Sequence, residues 1–381
     1  MALTVVASLG SVSASCGITS ARTKLVTSSR WSPALASASI RRTLSSVGTT
    51  SGSFWNPSRG PTSRIATRTR EILGSPLSDL TALAARHAPK PPAGIVVARL
   101  RKGSVEVATA GPVSPDMVFE LGSITKAATG LLLADAVVRG EVELDTTLDT
   151  YLPGARPLRL GDLASHTSGL PRLPLALLRR VGFLNTTDPY AGTTIQELVD
   201  DLARVRIRSR RRRYSNLGAA LLGQALAARA GAPYEQLVEE RVLRPLGVEE
   251  VWARDAPAVA QPHDRRGRPV PPWAFGAYAP AGCLRGTARG ALALSTACMA
   301  PPPAMADAVA LALTRRAGSR MVEVGLGWQR SAGMWWHNGG THGCRSFTGF
   351  TPEHREAIAA VANSARSVDG VARPSRARRR R

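Results

Sequence analysis

The spacing of apolar residues changes along this 381-residue chain, and the change predicts the order of its elements. Residues 92–100 and 104–110 are apolar, β-branched runs on either side of Arg101-Lys102-Gly103, which predicts a β-hairpin. A loop-rich middle with apolar positions at helical spacing extends from there to about residue 275. Strand-like runs then return at residues 325–336, 347–350 and 356–362.

Three stretches of the chain are predicted as helices. One runs from Ser123 to Val138, after a short extended entry at residues 118–121, and Gly140 is its stop signal. Another covers Leu217–Ala230, where either Ser215 or Asn216 suits an N-cap. A helix from about residue 71 to residue 85 begins the folded part of the chain.

This order of elements predicts an α/β fold at residues 71–366. We expect one antiparallel sheet built from both chain ends and flanked by helices, because early and late strands enclose the helices. We also expect a mostly helical subdomain inserted at about residues 140–275. A functional site would lie in the cleft between this subdomain and the edge of the sheet.

Lys126 is the first candidate for chemistry, because only four of the 50 basic residues are lysines. An ammonium group can lose its proton at working pH, whereas a guanidinium group stays charged. Lys126 follows Ser123 by three residues, and residues at this spacing share a helix face. A neighbouring amine of lowered pKa can take the proton of a serine hydroxyl and so activate it as a nucleophile. The alternative is that Ser123 merely caps the helix.

Two further motifs lie downstream in the chain. Tyr214-Ser215-Asn216 offers a phenol that can share a proton and an amide that can hold a substrate carbonyl or the lysine. His337-Asn338-Gly339-Gly340 reads as a strand ending in glycines, where a substrate backbone could approach and an N–H could meet an oxyanion. Each motif alone also fits an ordinary helix start or turn.

In this order, S-x-x-K, Y-x-N and H-x-G resemble the three motifs of the serine β-lactamase and penicillin-binding-protein superfamily. The tyrosine in the middle motif is similar to the class C branch, which includes D-Ala-D-Ala carboxypeptidases and esterases. The resemblance covers roughly residues 75–366. Other matching segments are residues 144–153, 163–171, 244–247, 280–288 and 325–328.

The resemblance implies a role for each matching residue. Ser123 would be the acylated nucleophile, and Lys126 and Tyr214 would handle its proton. The substrate-binding and oxyanion residues would be Asn216, His337, Gly339 and Gly340, with the N–H groups of Ser123 and Gly340 forming the oxyanion hole. His166, in the segment His166-Thr167-Ser168-Gly169, would be a structural turn residue.

The chain departs from the family pattern at three places. His337 stands where many relatives carry lysine, so we expect a partly charged imidazole that holds a substrate carboxylate less firmly. Residues 206–213 are arginine-rich where relatives have a Pro-Gly turn, which predicts either a solvated basic loop or a more positive entrance. Cys283 and Cys344 are expected to be small buried thiols.

The sequence thus predicts a serine hydrolase that forms an acyl-enzyme with a small-molecule or peptide substrate, namely an ester, a D-amino-acid peptide or a β-lactam-like compound. The alternative is a catalytically weak or inactive member that acts as a binding or scaffold protein. No metal or organic cofactor is implied, because the four cysteines and six histidines lack ligand-like spacing.

The net charge of +23 is concentrated at the two ends of the chain. Residues 1–70 carry nine basic residues and no acidic one, which predicts a disordered leader or an over-extended start. Residues 367–381 are predicted to be a basic disordered tail. An over-extended start favours a cytoplasmic protein, and an organellar or exported protein is the alternative. The folded domain has no nucleic-acid-reading motif, and no apolar run has the length of a transmembrane segment.

Overall fold

A computed structural model describes residues 77–175, 177, 188–207, 212–319 and 321–372. Its main sheet has eight strands, and every pairing is antiparallel. β1 pairs with β11, with Ile95 opposite Ala362, so the sheet joins the two ends of the described chain as predicted. Across the sheet the strands are β2 (Ser104–Ala110), β1 (Ile95–Arg101), β11 (Glu356–Ala362), β10 (Arg345–Thr351), β9 (Met334–Gly340), β8 (Gln329–Ser331), β7 (Glu323–Val324) and β6 (Ala317–Gly318).

The predicted hairpin is confirmed, with Lys102 and Gly103 at positive φ in its turn. The single strand predicted at residues 325–336 is wrong, because residues 325–328 form the turn after β7, and β8 and the start of β9 follow as separate strands. Gly327, at φ 71°, turns the chain between β7 and β8, and Ala332 and Gly333 make the turn into β9. The periodicity of apolar residues alone does not reveal such turns inside an apolar run.

Helices cover both faces of the sheet. Ile95 and Val97 of β1 face one cluster with Leu80 of α1, whereas Val96 and Ala98 face the larger core on the other side. The helices are α1 (Leu77–His87), α2 (Thr125–Val138), α3 (Leu160–Ala164), α4 (Ile195–Arg204), α5 (Asn216–Ala230), α6 (Tyr234–Val238), α7 (Ala279–Gly282), α8 (Ala288–Met299) and α9 (Ala306–Ala312). Short 3₁₀ turns include Gly122–Ile124, directly before α2, and Asp369–Ala372.

Helices α2 and α5 are the centre of the helical layer. Nearly every side chain of both is buried, so both helices are enclosed on all sides rather than amphipathic surface helices. Ser215 caps α5 by accepting a hydrogen bond from the Gly218 N–H at 2.9 Å, and Gly231 ends it at φ 66°. The predicted helices at residues 123–138 and 217–230 are therefore confirmed almost to the residue.

A second, three-stranded sheet was not predicted from the sequence. β3 (Phe119–Glu120) and β4 (Val251–Trp252) both pair with β5 (Arg285–Gly286). Only the first of these strands was expected, as the extended entry before Ser123. Strands of two residues carry no measurable alternation, so their pairing depends on tertiary packing. This small sheet holds the segment that leads into the candidate nucleophile.

One predicted boundary shifts, and another stays a prediction. Helices also follow residue 275, as α7 to α9, and the limit of the helical subdomain near that residue stays a prediction. The tail predicted from residue 367 starts too early, because Val368 and Val371 are buried in the cluster under α1. The predictions for residues 1–70 and 373–381 lie outside the described residues. Within the described residues, no helix is long and apolar enough to cross a bilayer.

Two glycines of α5 give a matched test of this packing. A Cβ at Gly223 would lie 2.2 Å from Pro280 Cβ, whereas a Cβ at Gly218 would meet its neighbours at 3.4 Å or more. We expect Gly223→Ala to lower the free energy of unfolding by about 1–3 kcal/mol through overpacking. Gly218→Ala should be neutral or stabilising by up to about 1 kcal/mol, because alanine favours helix. Denaturant unfolding of both variants checks this, and equal effects would contradict the close contact of α5 with α7.

Candidate active site

Ser123 and Lys126 lie together at the start of α2. The 3₁₀ turn Gly122–Ile124 places Ser123 one turn before Lys126, and the Lys126 Nζ donates a hydrogen bond to Ser123 Oγ at 3.0 Å. The same amine donates to the Ala281 carbonyl of α7 at 2.6 Å. The hydroxyl is half-buried and the lysine is only 2 % exposed. The spacing read from the sequence therefore does bring the amine to the hydroxyl.

Burial sets the acid–base state of Lys126. Removing an ammonium group from water disfavours its charged form, and this holds the pKa of Lys126 well below its usual value, with repulsion from Arg172 as a second cause. A neutral amine beside a serine hydroxyl can accept its proton. The geometry and the direction of this pKa shift therefore fit the same chemical task.

Tyr214 completes this group from the loop before α5. Its hydroxyl is hydrogen bonded to Ser123, and the Lys126 Nζ lies 5.0 Å from the centre of its ring. Burial raises the pKa of Tyr214 above its usual value, and the bond to Ser123 offsets only part of this. The phenol is therefore protonated at neutral pH and can donate a hydrogen.

His166 packs against Tyr214 rather than reaching Ser123. It takes a φ of 61° in its turn, and its ring packs against the Tyr214 ring with centroids 4.6 Å apart. Its Nδ1 accepts a hydrogen bond from the Ser215 N–H at 3.4 Å. Burial, and then the charge of Lys126, hold the pKa of His166 well below its usual value. The turn role expected from the sequence fits this geometry.

The end of β9 lies against the Ser123 turn. The Thr341 N–H donates to the Cys344 carbonyl at 3.1 Å across the turn to β10. Because ladder bonds alternate along an antiparallel strand, the Gly340 N–H points away from β10. A Cβ at Gly122 would lie 2.7 Å from that Gly340 nitrogen, so the two backbones are in contact. This arrangement places two backbone N–H groups, those of Ser123 and Gly340, beside the candidate nucleophile.

Close packing requires a glycine at position 339, which the sequence did not show. A Cβ at this position would lie 1.9 Å from the Leu121 carbonyl oxygen, so any side chain would push away the segment that carries Ser123. The sequence expected this glycine to admit a substrate backbone. In the structure it admits the protein's own segment that leads to Ser123.

Asn216 borders the site at the start of α5. Its Nδ2 donates to the Tyr190 hydroxyl at 2.8 Å, and its buried Oδ1 has no hydrogen-bond partner within the described part of the chain. Tyr190 stacks on Tyr278 and meets the half-buried Trp273 edge-on, with centroids 4.6 Å and 5.3 Å away. Sequence reasoning missed Tyr190 and Trp273, because no motif marks residues that only tertiary packing brings to a site.

The prediction of a partly charged His337 is wrong. The side chain is fully buried, and burial, with the charge of Lys126 as the second cause, lowers its pKa to about 3. His337 Nδ1 lies 2.7 Å from the Asn338 carbonyl, which can only accept, so Nδ1 carries the hydrogen. Nε2 then presents a lone pair, and it has no partner among the described residues. His337 is a neutral acceptor near Tyr214, not an anion-binding cation.

Positive charge at the site comes from arginines instead. The exposed Arg172, three residues after Gly169, places its guanidinium carbon 5.6 Å from the Tyr214 ring centre. The Arg345 guanidinium packs on Gly340, where a Cβ would lie 3.0 Å from its Nη1. Arg212, from the predicted basic stretch, is exposed and bonds to Gln329. Residues 208–211 of that stretch lie outside the described residues.

The cysteines fit the expected buried thiols only in part. Cys344 is fully buried and Cys283 is partly exposed, and burial raises the pKa of each thiol. In the described ranges, no three His, Cys, Asp or Glu side chains are grouped as metal ligands would be.

This fold and motif order match known proteins. The beta-lactamase family matches residues 85–380, and the chain belongs to that family. The chain is 33% identical over 153 residues to the D-alanyl-D-alanine-carboxypeptidase/endopeptidase AmpH of Escherichia coli K12, covering 37% of this chain and 38% of that protein. It is 28% identical over 166 residues to penicillin-binding protein 4 of Amycolatopsis lactamdurans, covering 40% of each. The chain thus aligns with about two fifths of these curated relatives.

Solved structures share the fold over most of the described chain. A class C beta lactamase from Rhodobacter sphaeroides superposes with a TM-score of 0.65 at 22% identity, covering 82% of this chain and 97% of that one. A beta-lactamase/D-alanine carboxypeptidase from Pseudomonas syringae gives 0.62 at 18% identity, covering 82% and 97%. The α/β fold with an antiparallel sheet flanked by helices is thereby confirmed.

The burial of His337 leads to a testable prediction for the pH dependence of KM. Because its pKa is about 3, the imidazole stays neutral across pH 5–8 and cannot add a titration there. We expect KM for a carboxylate-bearing ester to depend on pH in parallel for the wild type and His337→Gln. An inflection near 6.5, the pKa of free histidine, that appears only in the wild type would show a charged His337.

Proposed function

We propose that this protein is a serine hydrolase that works by acyl transfer, with Ser123 as nucleophile. The observation that carries the proposal is the 3.0 Å contact of a buried Lys126 amine with Ser123 Oγ. Family membership and the order of the three motifs support it. A buried lysine used only for structure would be expected to pair with a carboxylate, whereas this amine contacts a hydroxyl and a carbonyl oxygen.

The proton of Ser123 passes to the neutral Lys126 amine as Oγ attacks a carbonyl carbon. The carbonyl oxygen becomes an oxyanion, which the N–H groups of Ser123 and Gly340 stabilise. When the bond to the leaving group breaks, the leaving atom takes a proton from the Tyr214 phenol, which is protonated at neutral pH and hydrogen bonded to Ser123. Lys126 returns the proton to Tyr214. Water then hydrolyses the acyl ester and restores the Ser123 hydroxyl.

The substrate class follows from the groups that border Ser123. Asn216 Oδ1 and His337 Nε2 are buried acceptors without partners in the described structure, so a substrate N–H or O–H, or a water, can satisfy them. The guanidinium groups of Arg172 and Arg345 can attract a substrate carboxylate, which His337 cannot. These features support an ester, a D-amino-acid peptide or a β-lactam-like compound, with preference for substrates that carry a carboxylate.

Reaction with a fluorophosphonate tests the proposal. Intact-mass spectrometry should show a single adduct on the full chain, and peptide mapping should place it on Ser123. Ser123→Ala should lose the adduct and keep the wild-type melting temperature, because removing one half-buried hydroxyl leaves the core unchanged.

Two results would contradict the proposal. An adduct mapped to Ser168, or one that persists in Ser123→Ala, would mean that another residue is the nucleophile. The absence of any adduct in the folded wild type would favour the alternative, an inactive member of the family that acts as a binding or scaffold protein. Ser168→Ala is the matched control, and its labelling should equal that of the wild type.

A further inference from the structure

Glu120 is a buried carboxylate that the proposed reaction does not use. It lies on β3, three residues before Ser123, and only 1 % of it is exposed. One oxygen accepts the Trp273 N–H at 2.6 Å, and the other accepts the Thr341 hydroxyl at 2.7 Å. An enclosed charge is costly unless hydrogen bonds satisfy it, so this carboxylate fixes the position of whatever donates to it.

The Thr341 hydroxyl links Glu120 to the turn after β9. Thr341 directly follows Gly340, and its Oγ1 accepts the Cys344 N–H at 3.1 Å while its hydrogen goes to Glu120. Since a backbone N–H can only donate, this chain of bonds runs in one direction and ends on the carboxylate. A glutamine at position 120 could not accept from both donors with its two side-chain atoms, because its NH₂ group only donates.

A second link lies beside the first. Ser346 Oγ on β10 donates to the Leu121 carbonyl at 2.6 Å. Glu120 and Leu121, which directly precede the Ser123 turn, are thus bonded to the β9–β10 hairpin. Glu120 is bonded through its side chain, and Leu121 is bonded through its backbone carbonyl. These bonds join segments separated by 221 and 225 residues in the chain. They act where the Ser123 turn contacts the Gly340 nitrogen.

We infer that Glu120 is a positioning residue that sets the separation of the two oxyanion-hole N–H groups, those of Ser123 and Gly340. It acts through Thr341 and does not touch the substrate. The inference rests on the proposed acyl transfer at Ser123. Glu120 affects the step in which the oxyanion forms more than it affects substrate binding, because the oxyanion develops only in the transition state.

The test compares Glu120→Gln, Thr341→Val, Thr341→Ser and the double variant E120Q/T341V in the full chain. The rate constant for phosphonylation of Ser123 by a fluorophosphonate is measured, together with kcat and KM for p-nitrophenyl acetate. Loss of one oxyanion donor costs about 10²–10³-fold in kcat, so a displaced donor should cost about 10-fold or more. We expect this loss in Glu120→Gln and Thr341→Val, with KM changed by less than about 2-fold.

Two comparisons of the reaction rate distinguish a positioning role of Glu120 from a general loss of protein stability. Thr341→Ser keeps the hydroxyl and should react at a rate close to that of the wild type, and E120Q/T341V should be no slower than the slower single variant. Asp135→Asn is the control, because Asp135 is also a buried carboxylate and forms ion pairs with Arg139 and Arg241. Asp135 lies about 13 Å along α2 from Lys126, away from the candidate site. It should lower the melting temperature and leave the phosphonylation rate unchanged.

Wild-type rates in folded Glu120→Gln would overturn the inference, and so would equal slowing in Asp135→Asn. If Glu120→Gln does not fold, Thr341→Val decides by the same criterion, because valine has the shape of threonine without its hydroxyl. If the wild type itself forms no adduct at Ser123, the proposed function fails first. That result is distinct from an active enzyme that is indifferent to Glu120.

Discussion

The rest of the site depends on one constraint, the burial of the Lys126 amine against Ser123. An ammonium group with 2 % exposure and no carboxylate in its hydrogen bonds is held at a lowered pKa. Its nearby groups are correspondingly neutral: His166 and His337 have lowered pKa values, and Tyr214 has a raised one. Three uncharged titratable side chains and an amine of lowered pKa therefore enclose the hydroxyl at neutral pH. Such a site can accept and return a proton while its shape stays fixed.

Close backbone packing makes this burial possible. Gly327 lies so near α2 that a Cβ would come within 2.0 Å of the Lys126 carbonyl, and a Cβ at Gly130 would come within 2.1 Å of the Leu326 carbonyl. Gly339 and Gly122 allow the same approach between the Ser123 turn and β9. The role of these glycines is to let the helix and the sheet approach each other closely, and not to make the chain flexible. They let the helix that carries Lys126 and the turn that carries Ser123 pack directly against the backbone of neighbouring segments.

Much of the fold could be predicted because its signals are local. The β1–β2 hairpin has its turn residues between two apolar runs, and α5 has a serine cap and a terminal glycine within its own sequence. The Ser123–Lys126 contact also needs only helical spacing. Tyr190, Trp273 and Arg345 could not be found this way, since segments distant in sequence bring them together. The charge of His337 was predicted wrongly for the same reason: strand alternation cannot tell which positions tertiary packing buries completely.

The measurement that tests the account most directly is the rate of Ser123 acylation as a function of pH in the wild type and in Lys126→Arg. Arginine keeps a cation at this position but does not give up its proton at working pH. The account predicts that the wild-type rate rises as the Lys126 amine deprotonates, and reaches a plateau at a pH well below the usual lysine pKa of 10.5. It predicts a loss of about 10²-fold or more in the folded arginine variant, the usual scale for a general base. An arginine variant that acylates at nearly the wild-type rate would contradict it.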